Sequence, residues 1–96
     1  MQIEFLKIAE TELKDAVNYY NTKKNNLGFE FAKEVRLSLN NISNQPELYP
    51  KFSKNTRKYN LNRFPYGLIY TLLERKIIIV AVMHLHRKPG YWIDRI

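Results

Sequence analysis

Ile77-Ile78-Ile79-Val80-Ala81-Val82-Met83 runs without a polar residue and opens directly into His84-x-His86-Arg87-x-Pro89-x-Tyr91-Trp92-x-x-Arg95. Seven apolar residues rich in β-branched side chains suit a strand at the middle of a sheet. The tail beyond it has the makings of a site: two imidazoles, guanidinium groups and flat rings at the mouth of a rigid element.

Working back from that strand, Tyr66 to Leu73 is a second strand, joined to it by the tight connection Glu74-Arg75. Arg57 to Leu61 alternates, with Tyr59 and Leu61 set against Lys58 and Asn60, and Asn62 to Pro65 turns the chain. Three strands joined this closely form an antiparallel meander. Upstream, Leu48, Tyr49 and Phe52 make residues 46–55 too apolar for a linker, and these rings and chains are expected to pack over one end of the core. Gly28, Phe31, Ala32, Val35, Leu39 and Ile42 mark one face of a helix that stops before Pro46. Ala9, Leu13, Ala16, Val17 and Tyr20 mark an earlier helix, with Glu10, Glu12 and Asp15 placed to favour its dipole. Asn25 or Asn26 supplies an N-cap between the two. A weak alternation over Gln2–Leu6 reads as a short first strand. The expected fold is α+β: a small antiparallel sheet, made of a short N-terminal strand and a three-stranded meander, with a two-helix hairpin on one face.

The chain has 96 residues, 45% of them hydrophobic, and no cysteine. Residues 1–96 are expected to form one domain with a compact core. The absence of thiols fits a reducing compartment. No apolar stretch reaches the ~18 residues of a membrane span, so a cytoplasmic protein without membrane contact is expected. The net charge of +7 is unevenly spread. Residues 1–50 carry six Lys/Arg against seven Asp/Glu, whereas residues 51–96 carry ten against two. Such a basic half favours nucleic acid, a nucleoprotein or an acidic protein partner.

Several side chains have the chemistry to carry a function. His84 and His86 share strand parity with Ile78, Val80 and Val82, and Arg87 falls on the other parity. His84 either ends a buried strand by bonding a backbone carbonyl or moves a proton near neutral pH, with Arg87 beside it for an anionic transition state. Neither cysteine nor a close carboxylate completes a metal site around the two histidines, so no metal or cofactor is expected. Pro89-Gly90 should turn the chain back so that Tyr91 and Trp92 cover the open sheet face, and rings beside cations also stack nucleic-acid bases. Arg95 either pairs with a carboxylate or lies free. Arg57, Lys58 and Arg63 bracket the first meander strand, one strand over from the tail. Arg57 and Arg63 are the candidates for a contact surface, while Lys58 also suits an edge protected against aggregation.

In order and spacing these features resemble the RelE/ParE toxins of bacterial type II toxin–antitoxin systems. The likeness rests on the helical hairpin, Gln45-Pro46-Glu47-Leu48-Tyr49-Pro50, the Arg57-Lys58 strand opening, Phe64-Pro65-Tyr66-x-x-Ile69-Tyr70 and His84-x-x-Arg87-x-Pro89-x-Tyr91-Trp92. It implies a small antiparallel sheet carrying two helices, a growth-arresting activity and a neighbouring antitoxin, whose binding segment the basic half of the chain requires to be acidic and apolar. A homodimer and a heterotetramer with that antitoxin are the assemblies it allows. On the ParE side the resemblance implies inhibition of DNA gyrase, with Arg57, Arg63, His84, Arg87 and Tyr91 as target-binding residues. On the RelE side it implies metal-independent cleavage of ribosome-bound mRNA, with His84, His86, Arg87 and Tyr91 as the catalytic set. RelE-type enzymes usually carry an arginine just before the Leu/Ile-x-Tyr pattern, and here that position is Gly67, which favours the ParE side. A non-toxic basic module that binds nucleic acid or protein is the reading from a different class.

Overall fold

The computed structural model describes residues 1–96. Its elements are β1 (Gln2–Phe5), α1 (Lys7–Lys23), α2 (Leu27–Asn44), β2 (Arg57–Asn60), β3 (Tyr66–Leu73) and β4 (Lys76–His84), followed by a 3-10 turn at Ile93–Arg95. The strands form one sheet in the order β1-β4-β3-β2. The apolar run therefore lies inside the sheet, as its composition requires. The α+β class, the helical hairpin and the meander all match the sequence reading. One feature of the sheet differs from it: β1 pairs parallel to β4, with Gln2 opposite Lys76 and Phe5 opposite Ile79. The sheet is mixed rather than antiparallel throughout. Alternation along a four-residue strand carries no record of the direction of a partner more than seventy residues away.

The helices cover one face. Ala9, Ala16, Phe31, Val35 and Ile42 pack against Leu68, Tyr70, Ile77, Ile79 and Val82. Phe31 belongs to an aromatic cluster with Tyr20, 5.1 Å from Phe64 and 5.0 Å from Tyr66 between ring centroids, both edge-to-face. Such pairs add stabilisation beyond the area they bury. The hairpin is tight because of Gly28: a Cβ there would run into the Val17 carbonyl oxygen and the Asn21 side chain. Its N–H donates to Asn21 Oδ1 at 2.8 Å. Asn26 precedes α2 in the left-handed region (φ 68°) and makes no side-chain cap, so it serves the turn through its backbone instead of capping the helix.

The second face is covered too, by parts of the chain with little regular structure. Ile69, Val80, Ala81 and Met83 lie beneath Trp92. Phe52 stacks on Trp92 at 4.8 Å and 17°, and Lys58 Nζ sits 4.2 Å above the Phe52 ring. Tyr49 packs on the helix-side core. Leu48, expected to pack down with it, stays 64% exposed.

A register shift in β4 changes which face its last residues occupy. Ile69 is opposite Ala81 while Tyr70 is opposite Ile79, so Val80 is an extra residue in β4. Such a bulge reverses the alternation beyond it. Val82 and His84 therefore fall on the helix face with Ile77 and Ile79, not with Ile78 and Val80 as uninterrupted parity gives.

Two outcomes are expected from this packing. Ile79 is fully buried, and Ile79→Asp would place a carboxylate among apolar side chains with no partner, at a cost comparable to the whole net stability. Circular dichroism should find no cooperative thermal transition; a melting temperature equal to that of the parent would contradict the assignment. Tyr70 is also fully buried and donates its hydroxyl to the Pro46 carbonyl. Burial pushes its pKa up to about 12, with Tyr49 adding and Arg57 opposing. An unfolded tyrosine ionises near about 10, so the folded chain holds the proton longer. This contribution to stability is complete below about pH 10 and is lost as pH rises to about 12. The urea midpoint should fall across that window, less steeply in Tyr70→Phe; a midpoint that rises would refute it.

Candidate functional site

The tail is organised around a residue that belongs to none of the motifs singled out in the sequence. Glu12, on α1, has a side chain only 13% exposed, as does Arg95. Arg95 Nη1 donates to Glu12 Oε1 at 2.9 Å and Nη2 donates to Oε2 at 3.0 Å. This two-point geometry is the strong form of an arginine–carboxylate pair. Oε1 also accepts the Val82 N–H at 3.0 Å, and Arg95 Nη1 donates to the Val80 carbonyl at 3.0 Å. Both backbone groups lie past the point where β1 ends: the last bond across that edge is Leu6 N–H to the Ile79 carbonyl, 3.0 Å. The carboxylate and the guanidinium thus take the place of a missing strand.

Arg87 and Tyr91 complete the arrangement. The Tyr91 ring has two guanidinium groups against it, with Arg87 Cζ 3.8 Å and Arg95 Cζ 4.9 Å from its centroid. Arg87 Nη1 is 3.6 Å from Glu12 Oε2, yet the Arg87 side chain remains 54% exposed. Burial, reinforced by the nearby Glu12 carboxylate, pushes the Tyr91 hydroxyl up to about 12. The hydrogen bonds Arg95 donates to Glu12 raise the Arg95 pKa above its ordinary value against the opposing effect of burial. Arg95 is a permanent cation in this position, and Tyr91 holds its proton throughout the neutral range.

His84 ends β4 opposite Tyr66, with ring centroids 5.1 Å apart and nearly perpendicular. Its Nδ1 accepts the His86 N–H at 3.1 Å, so it bonds within the tail and not to a backbone carbonyl. With Nδ1 an acceptor, the neutral ring carries its proton on Nε2. The His86 ring lies 5.3 Å from that of His84 and is exposed. His84 and Arg87 line a small cleft of about 290 Å³ with Glu12, Asp15, Tyr19 and Tyr66. No three metal-ligating side chains converge anywhere in the chain.

The other sequence candidates lie elsewhere. Arg63 is at the same end of the sheet as His84, on the loop tied to the tail by Leu85 N–H to the Pro65 carbonyl, 2.8 Å. Its guanidinium is 59% exposed and pairs with Glu30 at 2.9 Å. Arg57 opens β2 opposite Tyr70, and β3 separates it from β4. It is half-buried and donates to the Tyr49 carbonyl at 2.7 Å, holding the preceding loop in place. It also lines a wide groove of about 1010 Å³ beside Lys54, Thr71, Ile78 and Ile96. The tail residues His84, His86, Arg87 and Tyr91 come together; Arg57 does not join them. Gly67 lies opposite Met83, and a Cβ there would press on Asn60 and Lys58.

In the sequence Glu12 reads as a residue that favours the helix dipole. A sharper signal is present: Glu12 stands three residues after Ala9 and four before Ala16, both of which are buried. A carboxylate at the rim of a helix's apolar face, between two small residues, has room to reach into the sheet.

Comparison with known proteins gives the family and the fold. The profile of the ParE toxin of type II toxin–antitoxin system, parDE, matches residues 3–89. No curated protein sequence matches the chain. The fold is similar to a chain of the chromosomal ParDE toxin–antitoxin system from P. aeruginosa, with a TM-score of 0.77 at 14% identity, covering 90% of this chain and 97% of that one. No helix is long and apolar enough to cross a membrane. With the family profile spanning all four strands and both helices, the chain belongs to the ParE toxin family of type II toxin–antitoxin systems.

Proposed function

We propose that this toxin arrests growth in the cytoplasm by ParE-like inhibition of DNA gyrase, acting through a basic surface centred on Arg87. The observation that carries this reading is the state of the tail. Arg87 is held on the Tyr91 ring beside Glu12 while more than half of its side chain faces solvent. A fixed, half-exposed guanidinium suits recognition of a charged surface. Arg63, exposed at the same end of the sheet, extends that surface, and the excess of positive charge in residues 51–96 gives it long-range reach toward a gyrase–DNA complex. In this reading residues 1–96 act as one domain, and Arg57 supports the adjoining loop.

Gly67 supports the choice of target. The position that holds a cation in RelE-like nucleases has no side chain here, and its space is crowded by Lys58 and Asn60. The second reading, a metal-independent ribonuclease acting on translated mRNA, draws on the proximity of His84, His86, Arg87 and Tyr91. A cognate antitoxin is expected to neutralise the toxin through a segment carrying acidic and apolar residues, folding as it binds.

Induced expression without antitoxin separates the two targets. Gyrase inhibition should give filamentous cells and a DNA-damage response while bulk protein synthesis continues at early times. His86→Ala should leave arrest nearly unchanged, and Arg87→Ala should weaken it by about tenfold or more. The opposite result is a rapid fall in translation with cuts inside translated messages. If those cuts fall about 10²–10⁴-fold in His86→Ala, the protein is a ribonuclease.

A further inference from the structure

We propose that Glu12 is a positioning residue of this toxin: through Arg95 and Tyr91 it fixes the Arg87 guanidinium at the target surface without touching the target. The inference rests on the reading of Arg87 as a target contact. It does not depend on which macromolecule is the target.

The geometry supports a role beyond holding the tail down. Glu12 uses both oxygens: Oε1 for the Val82 N–H and Arg95, Oε2 for Arg95 and for the approach of Arg87. Two cations then lie against one ring, the largely buried Arg95 and the half-exposed Arg87. Two like charges so close repel, and the carboxylate between them offsets that repulsion. Without it, Arg87 would gain by swinging into water, where a long side chain recovers its rotamer freedom. Asp15 is the only other carboxylate lining the cleft beside Arg87, and no ion pair joins the two. His84, also in that cleft, has its Nδ1 committed to the His86 N–H. The orientation of Arg87 therefore depends on Glu12 and on the ring that Glu12 helps to hold.

The test compares loss of arrest with loss of stability. Growth arrest is measured as the amount of toxin needed, quantified in cells under graded induction, alongside the melting temperature of each purified variant. The variants are Glu12→Gln, Arg95→Lys and Arg87→Ala, with Val35→Ala as a core control remote from the tail. Val35 is 2% exposed in the helix-side core, and its truncation lowers stability without touching the tail. Arg95→Lys retains a charge and single-point contact, so it reports on the two-point grip even if Glu12→Gln fails to fold. The expected result is that Glu12→Gln and Arg95→Lys need about tenfold more toxin for arrest. Val35→Ala, at an equal or larger loss of melting temperature, should stay within about twofold. Arrest that simply follows melting temperature across all variants would make Glu12 a structural residue and overturn the proposal. So would native arrest by Arg87→Ala, because nothing would then need positioning. Gyrase supercoiling is assayed separately: if the native toxin leaves it untouched while the arrest pattern holds, the gyrase reading falls and the positioning role stands.

Discussion

A strand that outruns its neighbour leaves backbone groups without partners, and the way this chain satisfies them organises its C-terminal half. β1 has four residues and β4 has nine. Past Ile79 the edge of β4 has no strand beside it, and exposed edges invite unwanted pairing. One carboxylate from α1 and one guanidinium from the C-terminal tail occupy that edge, each bonded to a backbone group and to the other. A buried ion pair gains little over an apolar substitute on stability alone. Here it brings helix, strand and tail to a common point, and the groups with functional chemistry are arranged about it.

Much of the fold can be read from the sequence because its signals are local. The run from Ile77 to Met83, the turn at Glu74-Arg75 and the apolar faces of the two helices each specify an element from adjacent residues. Glu74 and Arg75 both adopt left-handed backbone (φ 50° and 65°), as a two-residue hairpin turn requires. The features that escape such a reading share a different cause. The parallel direction of β1 depends on a partner distant in sequence. The face of His84 depends on one extra residue, Val80, opposite a strand that shows no irregularity of its own. Leu48 looks like core by composition and lies at the surface.

The site is legible in part. Tyr91, Arg87 and the histidines stand out by type and spacing, and Trp92 does cover the second sheet face. What organises them does not stand out, because a glutamate in the first half of a helix has an ordinary explanation in the dipole. Arg57 is a similar case: a cation at a strand end reads as surface, whereas here it is half-buried and bonds the Tyr49 carbonyl. Charge counted along a chain shows neither depth nor partners, and it is the partner of each arginine that distinguishes support from contact.

The central claim is that Glu12 replaces a missing strand at the outer edge of β4 and thereby holds the tail. Residue-resolved hydrogen exchange tests it directly. The Val82 amide should exchange as slowly as the amides paired between β3 and β4. In Glu12→Ala it should open together with residues 85–96 while β3 keeps its protection. A Val82 amide that exchanges rapidly in the native chain, or a tail whose protection is unchanged in Glu12→Ala, would contradict the account.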